Sequence, residues 1–251
     1  MHYIFVSIFR GEFNDLLQYL IEKKLNNCLV MNKPILVVLM SLLIVNCTQN
    51  KYAEFIYPTL PDNINKESYY LFFMHGKIVE KKGTPAKSRQ YGDYEYHRIL
   101  SKFASYGFDV ISEARNSGTD IYDYASSVAE QVEQLIKADV PPSHITVSGF
   151  SKGGRIALVV SSLLNIKDLN YVILAGCRTA DIENFNLHAS GRVLSIFDAS
   201  DNRFGSCKEI FSEGKGNLQS REIVLDIGYG HGAFYSPRPS WVNPMMKWVK
   251  K

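Results

Sequence analysis

The sequence has little excess of charge of either sign. Its 28 Lys and Arg residues nearly balance 25 Asp and Glu residues, so the formal net charge is only +3. A nucleic-acid-binding protein usually presents a clustered basic surface, and this balance argues against such a partner. The sequence also lacks internal repeats and low-complexity runs, which argues against a solenoid or a disordered chain. Its hydrophobic content of 46% is ordinary for a packed globular protein.

Metal-binding and nucleotide-binding motifs are missing as well. The sequence has no His-x-His, HExxH or CxxC arrangement, and no glycine-rich loop of the Walker form. We therefore expect neither a metal nor a cofactor.

No apolar run is long enough to span a bilayer comfortably. The run from Ile35 to Val45 reads ILVVLMSLLIV and has the length of a signal-peptide core. Lys33 precedes it and Cys47 follows it, as in a lipoprotein signal, where the cysteine thiol is lipidated and becomes the new N-terminus. A membrane-anchored signal without lipid and a buried element of a cytosolic protein are the alternatives.

A signal of normal length would begin at Met31. This predicts a signal peptide over 31–46, with residues 1–30 a start-site artefact or a leader extension; an amphipathic N-terminal helix is the alternative. The polar residues 47–68 are predicted to form a tether that leads into a domain over 69–251. The expected localisation is the bacterial cell envelope, with the chain held to the membrane by a lipid on Cys47.

Cysteine is scarce. Of the four cysteines, Cys28 falls in the leader and Cys47 is the predicted lipid site, which leaves Cys177 and Cys207. An oxidising envelope would permit a disulfide between these two, and two free buried thiols are the alternative.

From residue 69 onward, short apolar runs alternate with helical patterns. Strands are predicted over 69–74, 108–112, 145–148, 171–175, 193–197 and 222–225, and helices over 94–105, 124–138, 152–164 and 241–249. Wholly apolar strands separated by helices indicate an α/β fold, a three-layer sandwich with a mostly parallel central sheet. The connection between Gly176 and Arg192 is too short for a helical lid, so we expect no lid domain and an open cleft.

One motif in this pattern carries chemistry. Residues 149–153 read GFSKG, follow the strand ITVS and open a helix. A G-x-S-x-G sequence between a strand and a helix is typical of a nucleophile elbow, in which a sharp turn exposes the serine at the carboxyl edge of the sheet. Ser151 is therefore the predicted nucleophile, and a glycine-rich turn with an idle serine is the alternative.

A serine hydroxyl needs a base, and the base needs an orienting acid. His231 lies between glycines just past the last predicted strand, which suits a tight loop that presents a side chain. We predict that it is the base, and a structural loop histidine is the alternative. The acid should follow the preceding strand, where Asp198 and Asp201 compete. We favour Asp201 because of its spacing from the strand end, and Asp198 is the alternative acid, which could instead bond to loop amides.

A tetrahedral intermediate also needs donors for its oxyanion. One is predicted to be the backbone N–H of Lys152, directly after the nucleophile. The other should come from the loop after the first strand, where His75 and Gly76 precede Lys77. We assign it to the N–H of Lys77, with Gly76 allowing the close approach.

Together these motifs resemble the α/β-hydrolase superfamily over about residues 69–251. Within it, the chain looks like a small group of exported bacterial serine hydrolases and lipoproteins. The stretches that carry this likeness are YLFFMHGKIVE, YGDYEYHRIL, GFDVISEARNSGTD, ITVSGFSKGG, SIFDASDNRFGSC and GHGAFYSPRPSW. The resemblance implies the fold, the triad Ser151–Asp201–His231 and hydrolysis, but no substrate. It also favours a disulfide between Cys177 and Cys207, since both follow strands expected to be neighbours.

Charged side chains are frequent in the segments that follow the first two predicted strands of the domain. Lys77, Lys81, Lys82, Lys87 and Arg89 crowd the stretch after Gly76. They could attract an anionic substrate or lipid headgroups, and a solvated surface loop is the plainer interpretation. Glu113 and Arg115 follow the second strand at the same edge of the sheet. We expect them to pair and hold that loop, and a position lining the cleft is the alternative.

The function expected from the sequence is hydrolysis of an ester- or thioester-type bond through an acyl-enzyme. The expected partners are a small-molecule acyl substrate and the membrane, without nucleic acid. The alternative is a non-catalytic envelope lipoprotein that uses this fold as a binding or scaffold module.

Overall fold

The structure is a computed structural model that describes residues 52–178, 188–214 and 217–250. The predictions of a leader over 1–30, a signal over 31–46 and lipidation at Cys47 lie outside these residues and stay predictions. Within the described ranges, no helix combines the length and the apolar character needed to cross a membrane.

A seven-stranded sheet forms the centre of the fold. Its strands lie in the order β1-β5-β2-β6-β7-β8-β9, and all neighbouring pairs are parallel. They are β1 (Ile56–Tyr57), β2 (Tyr69–Met74), β5 (Phe108–Ile111), β6 (Ile145–Phe150), β7 (Asn170–Leu174), β8 (Gly191–Asp198) and β9 (Leu218–Leu225). A separate hairpin pairs β3 (Ala86–Ser88) with β4 (Gly92–Tyr94).

Helices cover both faces of the sheet. They are α1 (Lys77–Lys82), α2 (Tyr96–Ala104), α3 (Ile121–Lys137), α4 (Lys152–Leu164), α5 (Lys208–Ser212) and α6 (Pro239–Val249). Successive strand side chains point to opposite faces, so Leu71 and Phe73 of β2 pack with α2 and α6, while Tyr70 and Phe72 pack with α3 and α4. The predicted three-layer α/β sandwich is confirmed.

The order of the strands leaves a crevice at one place. After β2 the chain adds β5 on one side, whereas after β6 it adds β7 on the other. The connections that leave β2 and β6 therefore diverge. In open parallel sheets, ligands bind outside the carboxyl ends of the strands at such a switch point. Gly76 follows β2 and Ser151 follows β6, so both lie beside this crevice.

The structure differs from the sequence predictions at several short elements. The stretch predicted as a tether contributes β1, whose residues pair with Val110 and Ile111 of β5. A two-residue strand in a proline-containing polar segment has no periodicity to reveal it. The sequence also gave no sign of α1, α5 or the β3–β4 hairpin. Part of the connection after Gly176, residues 179–187, lies outside the described ranges, so the absence of a lid stays a prediction.

Candidate active site

Ser151 occupies a sharp turn between β6 and α4. Its backbone has φ 56° and ψ −115°, a left-handed conformation that is uncommon for a residue with a side chain. The N–H of Ser151 donates to the carbonyl of Leu174 at 2.9 Å, which ties the turn to β7. Such strained residues cluster at functional sites, and the sharp strand-to-helix turn predicted around Ser151 is present.

The turn depends on glycine because backbones approach closely around it. A Cβ on Gly149 would overlap the carbonyl of Gly153, and a Cβ on Gly153 would overlap the carbonyl of Met74 at the end of β2. The motif therefore lets the start of α4 lie directly against the loop that follows β2.

His231 lies within hydrogen-bond reach of the serine. Its Nε2 is 2.9 Å from Ser151 Oγ, and its Nδ1 is 2.7 Å from Asp201 Oδ2. The ring is buried and lies against two aromatic side chains. Its centroid is 4.7 Å from that of Phe204, in a stacked arrangement, and 4.7 Å from that of Phe150. Stacking and the two hydrogen bonds fix the orientation of the imidazole.

The two competing carboxylates have different partners. Asp201 is hydrogen-bonded to His231 Nδ1 through Oδ2, and its Oδ1 accepts the N–H groups of Arg203 and Phe204. Asp198 is fully buried and instead accepts N–H groups of the loop that carries the histidine, from Ile227 at 3.3 Å and Gly230 at 3.1 Å. The structure thus places Asp201 in the hydrogen-bonded chain with Ser151 and makes Asp198 a brace for the histidine loop.

Both carboxylates are held in the ionised form. Burial raises the pKa of Asp201, but hydrogen bonds from His231 and from backbone N–H groups outweigh it, and the pKa lies below its ordinary value. The pKa of Asp198 is lowered in the same way, by Ser200 and by the loop amides acting against burial.

The predicted oxyanion donors are the first residues of two helices. Lys77 opens α1 and Lys152 opens α4, and N–H groups in the first turn of a helix have no acceptor within it. Gly76 is in extended backbone, and a Cβ there would come within 2.9 Å of the Phe150 ring. Both N–H groups therefore belong to residues at the rim of the crevice beside Ser151.

A buried ionic network lies behind these donors. Glu80 of α1 accepts Arg115 Nε at 3.1 Å and Lys152 Nζ at 2.7 Å. Lys152 Nζ also donates to the carbonyl of Thr119, and Arg115 donates to the carbonyl of His75. The sequence missed Glu80 and expected Arg115 to pair with its neighbour Glu113. The network joins α1, the loop after β5 and the start of α4.

His75 completes this support. Its Nε2 accepts the backbone N–H of Arg115 at 2.8 Å, so its proton is on Nδ1, which donates to the carbonyl of Gly76 at 2.9 Å. Burial, with the charges of Arg115 and Lys152, lowers its pKa from 6.5 to about 3. The ring is therefore neutral and acts as a spacer between the loops after β2 and β5.

Because of the lowered pKa of His75, we expect the stability of the fold to decrease in acid. Between about pH 6.5 and about pH 3 the unfolded chain binds a proton at His75 that the folded chain does not. Its contribution to stability is complete above pH 6.5 and falls by about 1.4 kcal/mol per pH unit below it. We expect the stability cost of His75→Gln, measured by urea unfolding, to shrink between pH 7 and pH 4.5. His97→Gln, at an exposed position, controls for the loss of one imidazole. A cost that does not change with pH would contradict the assignment.

Cys177 and Cys207 are joined by a disulfide, with their Cα atoms 5.3 Å apart. The bond links the segment just after β7 to the segment that follows Asp201. It closes the base of the loop that carries Asp201, Arg203 and Phe204.

Ser151 lies in a cleft of about 310 Å³. Its apolar lining comes from Ile78, Phe150, Phe204 and Tyr235. The described residues contain no group of three or more metal-ligating side chains. The cleft thus brings a serine hydroxyl, an imidazole and apolar walls together in a space that suits a small molecule.

Comparisons with solved structures agree with this architecture. The structure of SOBER1 from Arabidopsis thaliana matches with a TM-score of 0.51 at 14% identity, covering 73% of this chain and 98% of that one. A protein assigned as a dienelactone hydrolase from Klebsiella pneumoniae matches with a TM-score of 0.50 at 11% identity, covering 76% of this chain and 90% of that one. At such identities the likeness shows the fold, which is the α/β-hydrolase fold. No protein-family model and no curated protein sequence matches the chain.

Proposed function

We propose that the protein is a serine hydrolase that cleaves an ester- or thioester-type bond through an acyl-enzyme intermediate. The observation that carries the proposal is the continuous chain of hydrogen bonds from Ser151 through His231 to Asp201 at the switch point of the sheet. The structure assigned as a dienelactone hydrolase, which shares this fold, is consistent with a hydrolytic reaction.

In the proposed mechanism, His231 Nε2 takes the hydroxyl proton as Ser151 Oγ attacks the carbonyl carbon. The N–H groups of Lys77 and Lys152 bind the oxyanion of the tetrahedral intermediate. As the carbon–oxygen or carbon–sulfur bond breaks, the imidazolium returns its proton to the leaving group. A water then attacks the acyl-enzyme, with His231 again taking and returning a proton, and the acid is released. Asp201 keeps the imidazole proton on Nδ1 and stabilises the imidazolium.

The direct test is active-site labelling with a fluorophosphonate probe on the full chain, followed by para-nitrophenyl acetate hydrolysis. We expect the wild type to be labelled and Ser151→Ala not to be. His231→Ala should slow labelling by about 10³-fold or more, because the hydroxyl loses its base.

The matched control is Ser105→Ala, an exposed serine that follows α2, which should label like the wild type. A well-folded wild type that neither labels nor hydrolyses the ester would overturn the proposal and favour a binding module.

A further inference from the structure

The cleft at Ser151 carries an unusual concentration of positive charge. Lys77, Lys81 and Lys82 line it from α1, and Arg203 lines it from the loop after β8. All four side chains are exposed, and Arg155 of α4, which is half-buried, also lines the cleft. Arg203 directly precedes Phe204, which stacks on His231, so cationic groups flank both ends of the hydrogen-bonded chain.

Few acidic groups oppose these charges: the nearby carboxylate of Asp201 is buried and hydrogen-bonded to His231. None of the described residues that line the cleft is acidic. Across the described ranges none of these four cations forms an ion pair, and Lys82 only donates to the carbonyl of Lys87. Glu80, the acid on the same helix, is buried and already paired with Arg115 and Lys152. Because the whole chain is close to neutral, the field at the cleft is a local feature.

From this arrangement, and resting on the proposed function, we infer that the substrate is a small ester bearing a carboxylate or phosphate close to the scissile carbonyl. The apolar side chains of Phe150 and Tyr235 contact its carbon skeleton, and the lysines of α1 together with Arg203 attract and bind its negative charge. A cleft of one sign raises the local concentration of oppositely charged ligands and speeds their association.

A small molecule fits these observations better than a lipid surface. Membrane-binding faces combine cations with protruding apolar side chains. Among the described residues, the exposed large hydrophobic side chains are Phe55, Tyr122, Leu163, Val224 and Tyr229, and none of them lines this cleft. Here the cations surround a concavity that contains the nucleophile.

The test compares esters that differ in charge. On the alcohol side, para-acetoxybenzoate and para-acetoxyphenyl phosphate are compared with methyl para-acetoxybenzoate. On the acyl side, the mono-para-nitrophenyl ester of adipate is compared with its methyl ester. We expect kcat/KM to be about tenfold or more higher for at least one anionic ester at low ionic strength. This preference should fall as salt is added, because salt screens exposed charges.

Two variants locate the effect. Lys81→Gln and Arg203→Gln should each lower the ratio of anionic to neutral kcat/KM several-fold, and their combination should lower it further than either alone. Lys137→Gln makes the same charge change at an exposed site at the far end of α3 and should keep the wild-type ratio.

The outcomes separate this inference from the proposed function. If the neutral esters are hydrolysed and no anionic ester is preferred, the inference is wrong and the hydrolase proposal stands. It is also wrong if the two variants weaken binding to anionic phospholipid vesicles but keep the ester ratio. If no ester of either kind is hydrolysed and Ser151 is not labelled, both fail together.

Discussion

Replacing Asp201 by asparagine is expected to lower kcat about 10⁴-fold. Asp201 Oδ2 accepts His231 Nδ1 at 2.7 Å, and Oδ1 accepts the N–H groups of Arg203 at 2.9 Å and Phe204 at 3.2 Å. An amide nitrogen in place of Oδ2 would donate to Nδ1 and move the imidazole proton to Nε2, which could then not accept the proton of Ser151. The opposite amide orientation would set its NH₂ group against two backbone donors. Neither orientation replaces the carboxylate.

Asp198→Asn is the matched control, since the same change is made three residues earlier. Its carboxylate contacts loop amides rather than the imidazole, so it is a positioning residue. We expect its loss to lower the free energy of unfolding by about 1–3 kcal/mol, because a buried N–H group of the 227–230 loop loses its acceptor. Activity should fall far less than in Asp201→Asn.

The measurements are kcat and KM on one ester, with urea unfolding of each variant. Asp201→Asn should lose kcat with little change in stability. Asp198→Asn should lose stability with a much smaller change in kcat. If Asp198→Asn retains its fold and loses more kcat than Asp201→Asn, Asp198 is the orienting acid and the assignment made here is wrong.

These two carboxylates are only three residues apart, which explains why the sequence alone could not decide which of them orients His231. Both lie in the DASD segment at the end of β8, and spacing alone favours Asp201 without excluding Asp198. The decision depends on which carboxylate faces His231, and that follows from the turn in which the N–H of Asp201 donates to the carbonyl of Asp198 at 2.9 Å. A pattern of residue types contains no such information.

The sequence was most informative where local chemistry and periodicity agree. The bounds of β2 and α4 were predicted as they are found, because an unbroken apolar strand and a long helix after a glycine turn give strong signals. Other predicted elements differ by a few residues at their ends, where such patterns are weakest.

Short elements and long-range ion pairs could not be predicted from the sequence. Helix α1 has six residues, below the length at which a helix is stable by itself, and it depends on tertiary contacts. Its KIVEKK sequence looks like a cationic surface segment. Nothing there distinguishes Glu80, whose side chain is 1% exposed, from an ordinary surface acid. Its partners Arg115 and Lys152 lie 35 and 72 positions away.

The second large effect concerns this buried glutamate. Glu80→Gln is expected to lower the free energy of unfolding by about 3–5 kcal/mol. The carboxylate lies between Arg115, whose side chain is fully buried, and Lys152, whose side chain is 9% exposed. A neutral amide would leave two buried cations without a counter-ion, and desolvated charge is costly unless it is paired.

Asp93→Asn provides the matched comparison. It removes a carboxylate from an ion pair with Lys87, whose side chains are 75% and 70% exposed for the lysine and the aspartate. Exposed pairs of this kind contribute about 0–1 kcal/mol. Urea unfolding of both variants should therefore show a much larger loss for Glu80→Gln, and equal losses would contradict the role given to the buried network.

A double variant makes the prediction specific to charge. Lys152→Met removes one of the cations that Glu80→Gln leaves unpaired, while its side chain keeps much of the same volume. The double variant should therefore be more stable than the sum of the two single losses, by about 1 kcal/mol or more. Strict additivity would mean that Glu80 and Lys152 do not interact. Because Lys152 also supplies a predicted oxyanion N–H beside Ser151, loss of kcat in Glu80→Gln at a temperature where it remains folded would link the network to the geometry of the active site.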